Sequence, residues 1–447
     1  MNPATTLETL YEALENQSLN EINEQVAELH PAEIASFLES LPPKQRNQLW
    51  QQPGIEQGGI LPYVSEAVRV ELMENMPPLE VATAAENMDV DDAVDLLQDL
   101  SDELVEEVLQ AMDVQYRRRL TAVLFYPENS AGGLMNTDVL AIRTEMTLKM
   151  VLRYLRRLNK LPEKTDALMV VDCNNYYRGV LWITDLLTHS PRLLVEQIVS
   201  NNIEAIPAQL STHEVARLFE QRDLLSAPVI DEQGILVGRI TIDDVVDVIR
   251  AEADHNLMVS AGLDKDDDMF APVFATLRDR SVWLGINLGT AFLAAWVIGL
   301  FAATLEKIVA LAVLMPIVAS MGGIAGSQTL TIVIRGIALG KVTATNAPWL
   351  LKKELAVSIL NGTMWAMIVA LVAIIWFSNI KLGLIIGIAI IINLFCAALV
   401  GSLLPLILHW LSIDPALAGG VILTTVTDVV GFATFLGLAT LFLLSAS

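Results

Sequence analysis

The segment Gly419 to Leu444, GGVILTTVTDVVGFATFLGLATLFLL, is apolar almost throughout, yet it carries one carboxylate, Asp428, near its middle and no basic residue. A carboxylate at the centre of a bilayer costs roughly 2.5–3.5 kcal/mol on insertion scales, so it faces a protein interior or water. One reading is a helix–helix hydrogen bond, with Thr424 or Thr425 as partner. The other is an ion ligand. A two-fold axis would bring two copies of Asp428 to one site, and two carboxylates on a wide ring can hold a small divalent ion through its own waters. A second group of acids lies far upstream. Asp91 and Asp95 are spaced i,i+4, and much further on Asp244, Asp247, Glu252 and Asp254 fall within a few helical turns of one another. Like charges on one helical face repel unless a cation stands between them; the plainer reading is a solvated acidic face. The run Asp264, Asp266, Asp267, Asp268 is read as solvated.

The elements that must hold these residues divide the chain in two. Of 447 residues, 53% are hydrophobic, too many for an ordinary soluble protein of this length. Of 52 acids and 28 bases, only four and six fall after Ser281, which leaves 48 against 22 and a net charge of −26 upstream. Such a surface disfavours nucleic acid and favours cations. Up to about residue 130, apolar residues recur at helical spacing between Pro-Pro and Asp-rich turns, which predicts a superhelix of helix pairs. Short β-branched runs then alternate with helices in two tandem α/β units, the second reading IPAQLSTHEVARLFEQRDLLSAPVIDEQGILVGRITIDDVVDVI. Five apolar segments follow, at 282–302, 308–336, 350–377, 382–408 and 417–445, each long enough for a hydrocarbon core of about 30 Å. Arg278, Arg280, Lys341, Lys352 and Lys353 put the basic excess on one side, so the N-terminal part is expected in the cytoplasm and the C-terminus outside. MNPATTLETLYEALEN has neither an apolar core nor basic flanks and reads as no signal peptide.

Four stretches together carry a family resemblance: YPENSAGGLMNTD, GRITIDDVVDVI, MPIVASMGGIAGSQTLTIVIRGIALG and DPALAGGVILTTVTDVVG. With them in order along nearly its whole length, the chain resembles the MgtE family of magnesium channels. The resemblance implies a multidomain membrane protein: an all-α superhelical N domain (1–132), an α/β tandem CBS pair (133–255), a connecting, plug-like helix (256–281) and a five-helix transmembrane α domain (282–447). It implies a homodimer in a bacterial cytoplasmic membrane, with Mg2+ passing down its gradient along the two-fold axis. Asp428 would be the central pore ligand, and Asp91, Asp95, Asp244, Asp247 and Glu252 would bind regulatory Mg2+ that shuts the gate, with Asp254 beside them. Gly322, Gly323, Gln328, Thr424, Thr425 and Gly431 would line the pore, where the glycines equally suit helix packing. Ile324 departs from the Asn usual after the paired glycines, and His255 with Asn256 from the family's acids. CBS pairs often hold adenine nucleotides through a Ser/Thr-x-x-Asp step. Here that step is Thr241 and Asp244 in the second copy, while the first has Trp182 and Asp185; the plainer reading of the same step is a helix N-cap.

Other classes fit less well. A proton- or sodium-coupled divalent cation carrier is expected to show further intramembrane ionisable groups and a repeat among its spans, whereas Asp428 reads as the single deep acid and five spans do not halve. A membrane-bound sensor has no need of Asp428. An enzyme is not expected: the five histidines are scattered, no nucleophile–base pair or phosphate-binding glycine loop is evident, and Cys173 and Cys396 lie too far apart to suggest a thiolate site.

Overall fold

The computed structural model describes residues 26, 29–52, 55–162, 164–260, 262–263, 268–343, 345–411, 413 and 415–444. They fall into two compact units: residues 1–254 with 266–272, and residues 255–265 with 273–447.

The first unit opens with short helices whose starts are set by proline and capping residues. They are α1 (Pro31–Glu39), α2 (Pro43–Trp50), α3 (Gln57–Ile60), α4 (Glu66–Glu74), α5 (Pro78–Glu86), α6 (Val90–Gln98), α7 (Asp102–Ala111) and α8 (Val114–Leu124). Proline takes the first helical position in α1, α2 and α5, where its missing N–H costs nothing. His30 closes a capping box with Glu33 on α1. In α6, Val90, Ala93, Val94, Leu96 and Leu97 turn inward, which leaves its aspartates along the opposite edge.

Two α/β repeats follow: β1 (Ala141–Arg143), α9 (Leu148–Leu158), β2 (Ala167–Val171), β3 (Tyr177–Trp182) and α10 (Ile183–Thr188), then β4 (Ile206–Pro207), α11 (Thr212–Arg222), β5 (Ser226–Ile230), β6 (Leu236–Thr241) and α12 (Ile242–Ser260). Each sheet has three strands, the first pair parallel and the second antiparallel, with a register shift at the equivalent place, Val170/Val171 and Val229/Ile230. The helical part shares one core with the second repeat, where Val215, Phe219, Ala227 and Val229 join Leu97, Leu120 and Val123. The YPENSAGGLMNTD stretch joins them: Ala131 N donates to Leu210 O, and Asn136 and Arg239 exchange backbone hydrogen bonds at 2.8 and 2.9 Å. The approach is close enough to require Gly238, where a Cβ would stand 2.6 Å from Met135 Sδ. No separate helix fills 256–281 among the described residues, because α12 runs on to Ser260 and the next helix begins at Val273.

In the second unit, five helices are long and apolar enough to cross a membrane. They are α13 (Val273–Gly299), α15 (Ala310–Ala338), α16 (Ala347–Phe377), α17 (Ile380–Trp410) and α18 (Pro415–Ala439), with the short α14 (Ala302–Lys307) between the first two. The central one is α17, packed on α15, α16 and α18, while α13 packs against α18. Small residues let the backbones approach: a Cβ on Gly401 of α17 would lie 2.8 Å from Gly326 O of α15. Large apolar side chains such as Trp365, Leu371 and Trp376 cover the exposed outer faces.

Candidate functional site

In the first unit, two helix starts bring carboxylates together. Asp91 and Asp92 occupy the first turn of α6 with Asp95 one turn on. Asp243 and Asp244 occupy the first turn of α12 with Asp247 after them. Asn136 Nδ2 donates to Asp91 Oδ1 at 3.0 Å. Lys164 pairs with Asp243. Burial raises Asp91 well above the usual carboxylate range, and the charges of Asp244, Asp92 and Asp89 raise it further. Asp92 is pushed up to about 6, by burial and Asp89 against the pull of Arg69 and Lys164. Asp95 is raised to about 7, where desolvation and Asp92 outweigh Arg69, although the residue as a whole is exposed. Burial also raises Asp244 and Asp247. Desolvation lifts Asp99 to about 6 although Arg69 holds it at 2.6 Å.

Of the expected acids, Asp91, Asp244 and Asp247 come together here with Asp92 and Lys164, while Asp95 feels Arg69, Asp92, Asp99 and Glu128 instead. Glu252 and Asp254 are turned elsewhere: Glu252 Oε1 meets His213 Nδ1 at 2.8 Å, and Asp254 stands exposed beside Arg250 at 3.9 Å. Among the described residues, no three acid, histidine or cysteine side chains stand close enough to hold a bare metal ion. Thr241 and Asp244, the residues of the Ser/Thr-x-x-Asp step, bond to each other at the start of α12. The Thr241 N–H donates to Asp244 Oδ2 at 3.1 Å, and its hydroxyl donates to Asp243 and Asp244 at 2.5 and 3.0 Å.

One acid expected to be solvated is not. Asp268 Oδ2 accepts from Nη2 of Arg46 at 2.9 Å, and Arg46, wholly buried, also reaches Glu71 Oε2 at 2.5 Å and the carbonyls of Leu38 and Leu41. Asp264, Asp266 and Asp267 lie outside the described residues.

In the second unit, Asp428 is partly exposed on α18. Neither Thr424 nor Thr425 bonds to it: their hydroxyls donate to Gly420 O and Val421 O of their own helix at 2.9 and 2.7 Å, as Thr427 does to Thr424 O at 3.0 Å. Gly323 has open space where a Cβ would stand, and Ile324, Gln328 and Thr424 are exposed. Gly322 and Gly431 are covered by Asn393 of α17, and Gly326 by Leu423. A cleft of about 430 Å³ lies beside Thr424, lined also by Arg280, Trp283, Asn287 and Gly420.

The sequence reading passed over two polar residues in the spans. Asn393 is fully buried. Glu354, at 5% exposure, accepts from Lys353 Nζ at 2.6 Å and from Thr329 Oγ1 at 3.4 Å, so Asp428 is not the only carboxylate inside a span. Asn393 was signalled as Asp428 was, by a polar side chain alone in an apolar run, whereas Glu354 directly follows Lys352 and Lys353.

Residues 315–438 match the family described as "Divalent cation transporter", residues 29–129 the "MgtE intracellular N domain", and residues 131–191 and 195–251 the CBS domain. The chain is 30% identical over 443 residues to the magnesium transporter MgtE of Thermus thermophilus, covering 97% of this chain and 98% of that one. It is 29% identical over 433 residues to the magnesium transporter MgtE of Bacillus subtilis, covering 96% of each. A crystal structure of the cytosolic domain of the Mg2+ channel MgtE in complex with ATP superposes with a TM-score of 0.50 at 30% identity, over 54% of this chain and 99% of that one. The chain belongs to the MgtE family of divalent cation transporters.

Proposed function

We propose that this chain transports Mg2+ across a bacterial cytoplasmic membrane as a homodimeric channel that cytosolic Mg2+ closes. Support for the cargo comes from relatives named as magnesium transporters. The observation that carries the route is Asp428: a carboxylate at mid-span that makes no hydrogen bond or ion pair among the described residues. Isolated in lipid it is a liability, and beside a hydrated cation it is a ligand. Two copies on a dimer axis would hold Mg2+ through its waters, with Gly323, Gln328, Thr424 and Thr425 along the same wall. Gly322 and Gly431 are left to helix packing.

The gate in this proposal is the acidic cluster. Asp91, Asp92, Asp95, Asp244 and Asp247 repel one another, and a hydrated Mg2+ between α6 and α12 relieves that repulsion in the closed state only. A ligand shifts a two-state balance by its differential affinity alone; moving a gate from 1:99 to 99:1 takes about 5.5 kcal/mol, which several weak sites can supply jointly. Nucleotide binding at Thr241 and Asp244 belongs to the proposal at one remove, since a ribose would have to take over hydrogen bonds that those residues now make with each other. On the positive-inside rule the first unit lies in the cytoplasm and the C-terminus outside.

Glu354 is the one observation that favours a coupled carrier. Its place eight residues into α16, tied to Lys353, suits an anchor instead. Mg2+ uptake into proteoliposomes, with Mg2+ on the cytosolic side varied, tests both. The proposal expects flux abolished in Asp428→Ala, steep inhibition by cytosolic Mg2+, and no response to a collapsed proton or sodium gradient. Undiminished flux in Asp428→Ala overturns it.

A further inference from the structure

Asn393 stands at the middle of α17, the helix that touches both helices of the transport path, and is fully buried. Its Nδ2 donates to Val318 O of α15 at 2.9 Å. The same nitrogen would lie 2.3 Å from a Cβ on Gly322 of α15 and 2.8 Å from one on Gly431 of α18, one turn past Asp428. One amide therefore fills the seam where three helices meet, at the depth of the pore carboxylate. Among the described residues, its Oδ1 has no hydrogen-bond partner.

Packing alone does not call for this side chain. A buried, unpaired carbonyl oxygen costs about 1–3 kcal/mol, and a leucine, branched alike though bulkier, carries no such atom. What leucine cannot do is direct a hydrogen bond. Val318 lies two residues after Pro316, which sits inside α15 and has no N–H to continue the ladder. A helix bends at such a point, and Asn393 fastens the backbone just beyond it to α17. The glycines at 322 and 431 make that approach possible from both sides.

We propose that Asn393 is a positioning residue for ion selection: it fixes the spacing of α15 and α18, and so the distance at which Asp428 meets the hydrated ion. This rests on the pore reading above. An ion held through its waters is sensitive to that spacing, because a site works only when supporting contacts hold it within about 0.5 Å.

The test uses the full chain in proteoliposomes, with Mg2+ and Ca2+ fluxes and the thermal midpoint measured for wild type, Asn393→Leu, Gly322→Ala and Asp428→Ala. Asn393→Leu is expected to keep the wild-type midpoint while its Mg2+/Ca2+ flux ratio falls about tenfold, on the scale by which small misplacements weaken a site. Gly322→Ala, whose Cβ must displace Asn393, should shift the ratio the same way, and it carries the test if Asn393→Leu fails to assemble. A wild-type ratio in the assembled variants overturns the inference, as does a loss of flux that only tracks a lowered midpoint. Undiminished flux in Asp428→Ala is a different failure, that of the pore reading itself.

Discussion

Asp92 offers the sharpest test of the acidic cluster, since its neutral analogue differs by one atom. Its carboxyl is raised to about 6, with desolvation first and the charge of Asp89 next, partly offset by Arg69 and Lys164. That is about two units above the usual value, near 3 kcal/mol at 1.36 kcal/mol per unit. The side chain is partly exposed, so screening leaves about 1–2 kcal/mol. The sign follows from the raised value. The protonated group's stability is fully present below about pH 4 and is lost as pH rises through about 6. At pH 8 without divalent cations Asp92 therefore carries its full penalty, which Asp92→Asn removes. The assay is amide hydrogen exchange along α6 in the full-length protein, which reports local opening. With EDTA at pH 8, Asp92→Asn should protect these amides roughly 5- to 30-fold more than wild type. At pH 4.5 the two should converge. Added Mg2+ should protect wild type strongly and the variant less. Equal protection at pH 8, or an undiminished Mg2+ effect in Asp92→Asn, would refute the view that repulsion between α6 and α12 holds the closed state under tension.

Lys164→Met should make the gate more sensitive to Mg2+, because the Lys164 ammonium lowers Asp92, Asp244 and Asp247 and so competes for their charge; half-inhibition of flux at several-fold lower cytosolic Mg2+ is the expected reading. Arg46→Met strands Glu71 and Asp268 beside a buried site, and breaking such a pair costs about 3–5 kcal/mol. Hydrogen exchange should show α2 and α4 opening, with partial recovery in the Arg46→Met, Asp268→Asn double variant. Glu354→Gln keeps the bond from Thr329 and loses the charge of its pair with Lys353, and flux should stay indifferent to the proton gradient.

What was legible in the sequence was what a single segment could carry. Asp428 declared itself because a charge has no cheap place in lipid, and the five spans because length and apolarity are local properties. The two sheets followed from their turns and β-branched runs, though not the register shift that both repeat. Partners were another matter. Nothing near Asp268 points to Arg46, 222 residues away, and nothing near Glu252 points to His213, 39 residues off, so one acid read as solvated and another read as a metal ligand are each held by a cation or an imidazole. Gly322 and Gly431 read equally well as pore wall or packing, because the side chain packed against both, Asn393, sits in a third helix. Its own signal, an amide alone among leucines and isoleucines, is weaker than a carboxylate's because burying it costs less. That is why the spacing of a pore is harder to read than its charge: the ligand must be costly to be useful, while the side chains that set its distance need only fit.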